Sequence, residues 1–179
     1  MADNYLQFSE TLDDLTTEQS AWLEEQLQPV VAFGDQEFSE DDPAIAKLPP
    51  SDPDYTGPRF LRDNPDFDSS WDVLGFEFNF INDHGNGKSA TRDLWLFADT
   101  YGDPAHVAWL IQKFLKQFRP GQCWSLTYAN TCSKPRVGEF SGGAVFVTAN
   151  EIKQQAASDF IEQERAEFNV TKTSSVEAA

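Results

Sequence analysis

The residue types best suited to nucleophilic or metal chemistry are rare in this chain. There are two histidines, His84 and His106, and two cysteines, Cys123 and Cys132. These types can form a tetrahedral zinc site, but structural zinc sites use closely spaced ligand pairs, and this spacing contains none. Two cysteines cannot form a disulfide framework either, so both are expected to pack as small hydrophobic side chains.

A cysteine–histidine hydrolase is the main enzymatic alternative. In that reading Cys132 is the nucleophile and His106 the base, oriented by Asp99 or Asp103. A turn with two basic residues follows Cys132 directly and would favour its thiolate. No nucleophile elbow accompanies these residues, so the sequence leaves the hydrolase as an alternative only.

Two further motifs are incomplete, and no cofactor or metal is predicted from them. Residues 85–89 resemble the end of a phosphate-binding loop, but Asn82 occupies the position of the required first glycine, and a strand is predicted where the helix should follow. Carboxylates between Asp66 and Glu77 match a calcium-loop spacing, but Trp71 stands where the sharp turn needs glycine.

The strongest chemical signal is the distribution of charge. The 179-residue chain holds 30 acidic and 13 basic residues, a net charge of −17. Residues 1–72 contain 18 acidic and three basic residues (−15), whereas residues 73–179 contain 12 and ten (−2). Solubility needs a net charge of only about 2–8 in a small domain. The excess therefore indicates either an acidic interaction face or a strongly solvated surface.

The same composition excludes several classes of function. The phosphate backbone would repel so acidic a chain, so direct nucleic-acid binding is not expected. No apolar run approaches the ~18 residues of a membrane span. Residues 1–10 lack the basic and apolar regions of a secretory signal, which predicts a cytoplasmic protein.

The elements that must position these residues indicate a single α+β domain over 1–179. Thr16 and Gln19 form a capping-box pattern that predicts a helix from Thr17 to Gln28, and Val30–Phe33 reads as a short strand. Six of the ten prolines fall between Pro43 and Pro65, so 34–70 is predicted to be an irregular acidic excursion, anchored by Phe60, Leu61 and Tyr55.

A regular core is predicted over 73–170, with a frayed tail over 171–179. Alternating apolar residues predict strands near 74–81 and 93–98 joined by a hairpin turn at 83–88. Asp103 and Pro104 begin a helix that ends at Arg119, and strands follow over 123–131 and 144–148. Thr148 with Glu151, or Asn150 alone, is expected to cap a last helix that ends near Phe168. Its buried positions would be Ile152, Ala156, Phe160 and Ile161. The order predicts two or three helices packed on a mainly antiparallel sheet.

The helix over 104–119 carries a basic ridge of Lys113, Lys116 and Arg119 on its polar side. This ridge has three possible roles: it is solvated, it pairs with the acidic N-terminal part, or it meets an acidic partner. The aromatic stripe Phe76, Phe78 and Phe80 is expected to lie in the core rather than to stack on bases.

One stretch carries a family resemblance. The segments 123–128, 134–140 and 143–147 (CWSLTY, KPRVGEF and GAVFV) resemble a family of uncharacterised bacterial and phage-borne proteins. The resemblance covers about Trp95 to Phe168 and extends to the opening Phe8-Ser9-Glu10. The resemblance implies a shared fold and a mobile-element setting. It transfers no catalytic residue, because no activity is assigned to that family.

These observations predict a non-enzymatic acidic interaction protein, with a nucleic-acid-mimicking inhibitor as the specific hypothesis. Carboxylates along a rigid surface can imitate duplex phosphates, which occur about once per 1.7 Å of helix axis. The partner would be the basic surface of a nucleic-acid-binding enzyme, as for anti-restriction and anti-CRISPR proteins. The hydrolase and a plain acidic scaffold are the alternatives. The predicted contact residues are Glu40, Asp41, Asp42, Asp52, Asp54, Asp63, Asp66 and Asp68.

Overall fold

The computed structural model describes residues 3–28, 58–62, 74–82, 91–134 and 136–166. The strands are β1 (Asn4–Leu15), β2 (Glu77–Asn82), β3 (Arg92–Ala98), β4 (Cys123–Cys132), β5 (Ser141–Thr148) and β6 (Ile152–Ala156). The helices are α1 (Thr17–Leu27), the single-turn α2 (Arg59–Arg62), α3 (Pro104–Phe118) and α4 (residues 157–166).

The six strands form one antiparallel sheet in the order β2-β3-β1-β4-β5-β6. The predicted α+β class with a mainly antiparallel sheet is therefore confirmed. The predicted strands at 74–81, 93–98, 123–131 and 144–148 all exist, with bounds that differ by a few residues. The antiparallel β2–β3 pair fits the predicted hairpin, whose turn at 83–88 lies outside the described residues.

Strand β1 is the main feature that the sequence patterns do not predict. It lies between β3 and β4, with Phe8 opposite Ala98 and Asn4 opposite Cys132. Its partners are therefore 77 (Leu15 to Arg92) to 128 (Asn4 to Cys132) residues away in sequence. Residues 4–15 consequently form an inner strand of the sheet, although they lie within the acidic part of the chain.

Burial alternates along the strands, and the described helices α1, α2 and α3 all cover the same face of the sheet. The other face, on which no described helix packs, is called the open face. The covered face presents Leu12, Leu94, Leu96, Leu126 and Val145, all of them buried. Helix α3 packs on β4 and β5, α1 packs on β1, and α2 contacts both helices. The open face carries mostly polar residues and a few aromatic side chains.

Two of the three predicted helix starts are confirmed by their hydrogen bonds. The Thr16 side chain accepts from the Gln19 backbone N–H, and the Gln19 side chain accepts from the Thr16 N–H. Asp103 caps α3 by accepting from the Ala105 N–H, and Pro104 occupies the first turn. These bonds satisfy backbone donors that a helix start otherwise leaves without partners.

The prediction of a long last helix is wrong over its first part. Ile152–Ala156 forms β6, which pairs with β5. The Thr148 hydroxyl accepts from the Glu151 N–H, but this bond closes the β5–β6 turn rather than capping a helix. Helix α4 is exposed along its length, so Phe160 and Ile161 are not core residues.

The predicted anchor of the proline-rich stretch is confirmed in part. Phe60 and Leu61 have no exposed surface, and the ring centroids of Phe60 and Phe76 are 6.2 Å apart. Tyr55 and the predicted strand Val30–Phe33 lie outside the described residues. The covered face therefore extends to α2, which joins the acidic stretch to the core.

Candidate functional site

The predicted partner-binding carboxylates all fall outside the described residues. Glu40, Asp41, Asp42, Asp52, Asp54, Asp63, Asp66 and Asp68 belong to the ranges 29–57 and 63–73. Their role stays a prediction. The described part of the acidic region comprises β1, α1 and α2.

An acidic corner lies where β1 turns into α1. Asp13, Asp14 and Glu18 are exposed there. The pairing of β1 with β3 shifts register between Leu12 and Leu15, and Asp14 has a φ of 56°. Such a left-handed backbone is uncommon for any residue other than glycine, so surrounding contacts must hold it in place.

Arg119 supplies most of those contacts. Its guanidinium donates to the Asp13 carbonyl (3.0 Å from both terminal nitrogens), to the Asp14 carbonyl (2.8 Å) and to Gln19 Oε1 (3.0 Å). From the other side the Asp14 N–H donates to Asp93 Oδ1 at 2.8 Å. We call this arrangement the corner clamp. It ties the C-terminal end of α3 to the β1–α1 corner through backbone carbonyls rather than carboxylates.

The predicted basic ridge therefore separates into three roles. Arg119 belongs to the corner clamp, Lys113 donates to the Phe60 carbonyl at 3.0 Å, and Lys116 is exposed with a bond to Gln112. Two of the three cations thus contact the N-terminal part of the chain. The predicted pairing is with its acidic side chains, whereas the bonds of Arg119 and Lys113 go to backbone carbonyls and the Gln19 amide. The carboxylates of the corner do not take part.

Two arginines also pair with helix α1. Arg92 donates to Glu24 and lies 4.6 Å from the Phe80 ring centroid, and Arg59 donates to Glu25. All four side chains are partly exposed, so each pair contributes at most about 1 kcal/mol. Each pair also changes the surface charge, because the arginine offsets the charge of one carboxylate of the same protein.

A cleft of about 600 Å³ opens beside the corner clamp. It lies where β1 and β4 diverge, and the Trp124 indole N–H bridges the gap to the Thr11 carbonyl at 2.8 Å. Asp13, Asp14, Arg119 and Cys123 are among its lining residues. Arg119 is the one cation among the described lining residues, and its guanidinium is already bonded to protein oxygens.

His106 is a buried structural residue. Its Nδ1 accepts from the Gly75 N–H at 3.0 Å, and its Nε2 lies 3.5 Å from Asp103 Oδ2. Burial lowers the pKa of His106, and the charge of Asp103 opposes that shift only in part. The neutral ring with Nδ1 unprotonated is therefore favoured. Asp103 does approach His106, as the hydrolase alternative supposed, but both ring nitrogens face local partners rather than a nucleophile.

The cysteines show no sign of a metal centre. Cys123 is exposed, Cys132 is partly buried, and they stand at opposite ends of β4. Within the described ranges no three His, Cys, Asp or Glu side chains cluster as metal ligands would. His84 lies outside those ranges.

The open face of the sheet contains an aromatic pair that the sequence analysis did not single out. The Trp95 and Phe97 rings stack with centroids 4.1 Å apart and an interplanar angle of 22°. The Trp95 indole N–H donates to Ser9 Oγ at 2.9 Å, which fixes its orientation. The segment 93–99 reads DLWLFAD, and its alternation places both rings on the face opposite the buried leucines. That signal was available, but the sequence alone does not say which face is covered.

The chain was compared with known proteins, and no family model, curated protein sequence or solved structure matches it. The resemblance of 95–168 to bacterial and phage-borne proteins therefore stays a prediction. No helix in the described part of the chain is long and apolar enough to cross a membrane. Any functional conclusion must come from the chain's own charges and surfaces.

Proposed function

We propose that this protein is a non-enzymatic acidic interaction protein that occupies the basic surface of a nucleic-acid-binding enzyme and excludes its nucleic acid. The observation that carries the proposal is the excess of carboxylates in the described acidic region. Residues 3–28 contain seven acidic and no basic residues, and the carboxylates of the acidic corner are exposed. Four cations lie in or against this region, namely Arg119, Lys113, Arg92 and Arg59. They lower its negative charge without cancelling it.

Such a field suits competition with a polyanion. Carboxylates fixed on a folded surface can take the positions of phosphates in a basic groove, because Lys and Arg side chains donate to either group. Long-range attraction would also accelerate association with a basic partner. The rigid support comes from β1 and α1, whose corner is held by Arg119 on one side and Asp93 on the other.

The hydrolase alternative gains nothing from the geometry, because His106 is buried against Gly75 and Asp103. A plain acidic scaffold differs from the proposed inhibitor in its response to salt. Affinity of the inhibitor should fall steeply between ~50 and ~200 mM salt, since exposed charges are screened over that range. Binding by a scaffold through neutral contacts should change little.

The decisive experiment is a charge-reversal comparison. A basic nuclease recovered with the protein at low salt is tested for duplex binding by fluorescence anisotropy, with increasing amounts of each variant. The variant D41K/D42K/D52K/D54K should lose competition with the duplex. The control E139K/E151K/E162K/E164K changes the net charge equally and should retain most of it.

Two results would contradict the proposal. One is unchanged competition by the first variant, and the other is an equal loss in both variants, which would show dependence on total charge alone. Circular dichroism of each variant verifies the fold. A competition constant that does not depend on salt would also reject the inhibitor in favour of the scaffold.

A further inference from the structure

We infer that the open sheet face around Trp95 and Phe97 is a docking site for arginine side chains of a basic partner protein. This inference rests on the proposed function for the nature of the partner. It assigns the contact to a surface outside the predicted acidic excursion. The acidic aromatic face is defined as the open-face residues of β2, β3 and the part of β1 that pairs with β3.

The backbone register places the aromatic pair among polar and acidic neighbours. Phe97 lies opposite Glu77 on one side and Ser9 on the other, and Trp95 lies opposite Asn79 and Thr11. Directly opposed residues have Cβ atoms about 4.5–5.5 Å apart, so these side chains are in reach of any group that docks on the rings. The pair therefore has a carboxylate as an immediate neighbour.

The described charged residues of the acidic aromatic face all carry negative charge. They are Glu77 on β2, Asp93 on β3, and Asp99, which follows β3 directly. The Asp93 carboxylate also accepts from the Asp14 N–H, so Glu77 and Asp99 are the carboxylates that a ligand on the rings would meet. The nearby cation Arg92 lies toward the covered face, over the Phe80 ring. A cationic ligand is therefore the one that this surface complements.

The aromatic pair selects among cationic ligands. A guanidinium is planar and weakly hydrated, and it stacks on aromatic rings while its N–H groups donate to carboxylates. An ammonium group is a compact and strongly hydrated charge without that planar geometry. The Trp95 ring is already oriented by Phe97 and Ser9, so docking costs little side-chain entropy there. The surface thus fits arginine better than lysine.

The other half of the open face supplies an internal control. Phe146 is more exposed than Trp95 or Phe97, with 44% of its surface accessible. Its direct neighbour on β6 is Lys153, which would repel a cationic ligand. If exposed aromatic surface alone attracted the partner, Phe146 would contribute most. If the combination of rings and carboxylates is required, Phe146 contributes nothing.

The test uses a ten-residue oligoarginine peptide as the probe and an oligolysine of equal length as the comparison. Titrations of the full chain at ~50 mM salt are followed by two-dimensional NMR, and W95F identifies Trp95 among the five tryptophan indole signals. Oligoarginine should shift the Trp95 indole N–H and the Ser9 and Thr11 amides saturably, with higher affinity than oligolysine. W95A should weaken oligoarginine binding by about 2- to 30-fold, and F146A should not weaken it.

If W95A does not fold, E77Q/D99N keeps both rings and should weaken oligoarginine binding by about 2- to 10-fold. Shifts confined to other parts of the chain, equal affinity for both peptides, or equal losses in W95A and F146A would overturn the inference. So would no binding at all. The proposed function fails separately, if the reversal of Asp41, Asp42, Asp52 and Asp54 leaves competition with a duplex intact.

Discussion

Replacement of Arg119 tests how much the corner clamp contributes to stability. R119A removes a guanidinium that donates to the Asp13 and Asp14 carbonyls and to Gln19 Oε1 at 2.8–3.0 Å. It also removes the cation over the Phe114 ring, 5.2 Å from the ring centroid. The backbone at Asp14, whose φ is positive, then loses its main support on the side of α3.

The expected loss follows from the number of acceptors and their access to water. A hydrogen bond to a charged group contributes about 1.5–3 kcal/mol when well shielded. The cleft beside Arg119 lets water reach the abandoned carbonyls, so about 0.5–1 kcal/mol for each of three acceptors is the better figure. With about 0.5–1 kcal/mol for the aromatic contact, R119A should lower the free energy of unfolding by about 3 kcal/mol. In a chain of this size that corresponds to a decrease in Tm of about 6–12 °C.

The assay is urea and thermal unfolding of the wild type, R119A, R119K and the control K116A. Lys116 lies one turn earlier on α3, is exposed, and makes one bond to Gln112, so K116A should change stability by less than about 0.5 kcal/mol. R119K keeps the charge but cannot span several carbonyls, so it should recover less than half of the loss. A decrease in R119A no larger than that in K116A would refute the clamp.

Two further predictions concern the contact between α3 and the segment before β2. G75A should lower the free energy of unfolding by at least about 2 kcal/mol, because the added Cβ would lie 2.5 Å from Asp103 Cβ. The control G121A has open space around its Cβ and should leave the free energy of unfolding unchanged. Equal urea midpoints for the two variants would contradict this prediction. Burial lowers the pKa of His106 in the folded protein. As the pH falls below about 6.5, the histidine is therefore protonated in the unfolded chain before it is protonated in the folded protein, and stability should be lost. The decrease from pH 7 to pH 5 should therefore be steeper in the wild type than in H106A, and parallel curves would refute the assignment.

Local signals predicted most of the fold. The capping box at Thr16, the Asp103–Pro104 helix start and the alternating strands each depend on residues within a few positions of one another. Strand β1 was missed because its partners lie near residues 98 and 132, and its own sequence ends in Asp13 and Asp14, which are unfavourable in strands. No pattern within residues 4–15 indicates that β3 and β4, far along the chain, leave a place for a strand between them.

The error over 152–156 has a different cause. Ile152 and Ala156 are four residues apart, and that spacing places them on one side of either a helix or a strand. Thr148 and Glu151 match a helix cap and also close a two-strand turn. The pairing with β5 decides between these readings, and only the three-dimensional structure contains it.

The candidate site could be predicted less well than the fold. The excess of carboxylates is visible in the composition, but the engagement of Arg119 and Lys113 by backbone carbonyls is not. The stacked rings of Trp95 and Phe97 alternate with leucines, so both sides of β3 look apolar in the sequence. Only the position of the helices shows that one side is left open.

The central place of β1 bears on how the chain is made. Residues 4–15 are synthesised before either of the strands that flank them, and their partners extend to Cys132. Strand β1 can pair with β3 once Ala98 has been made, but it can join β2–β3 to β4–β6 only after β4 has been synthesised. Among the described strands, the one that comes first in the chain is therefore the one that completes the sheet.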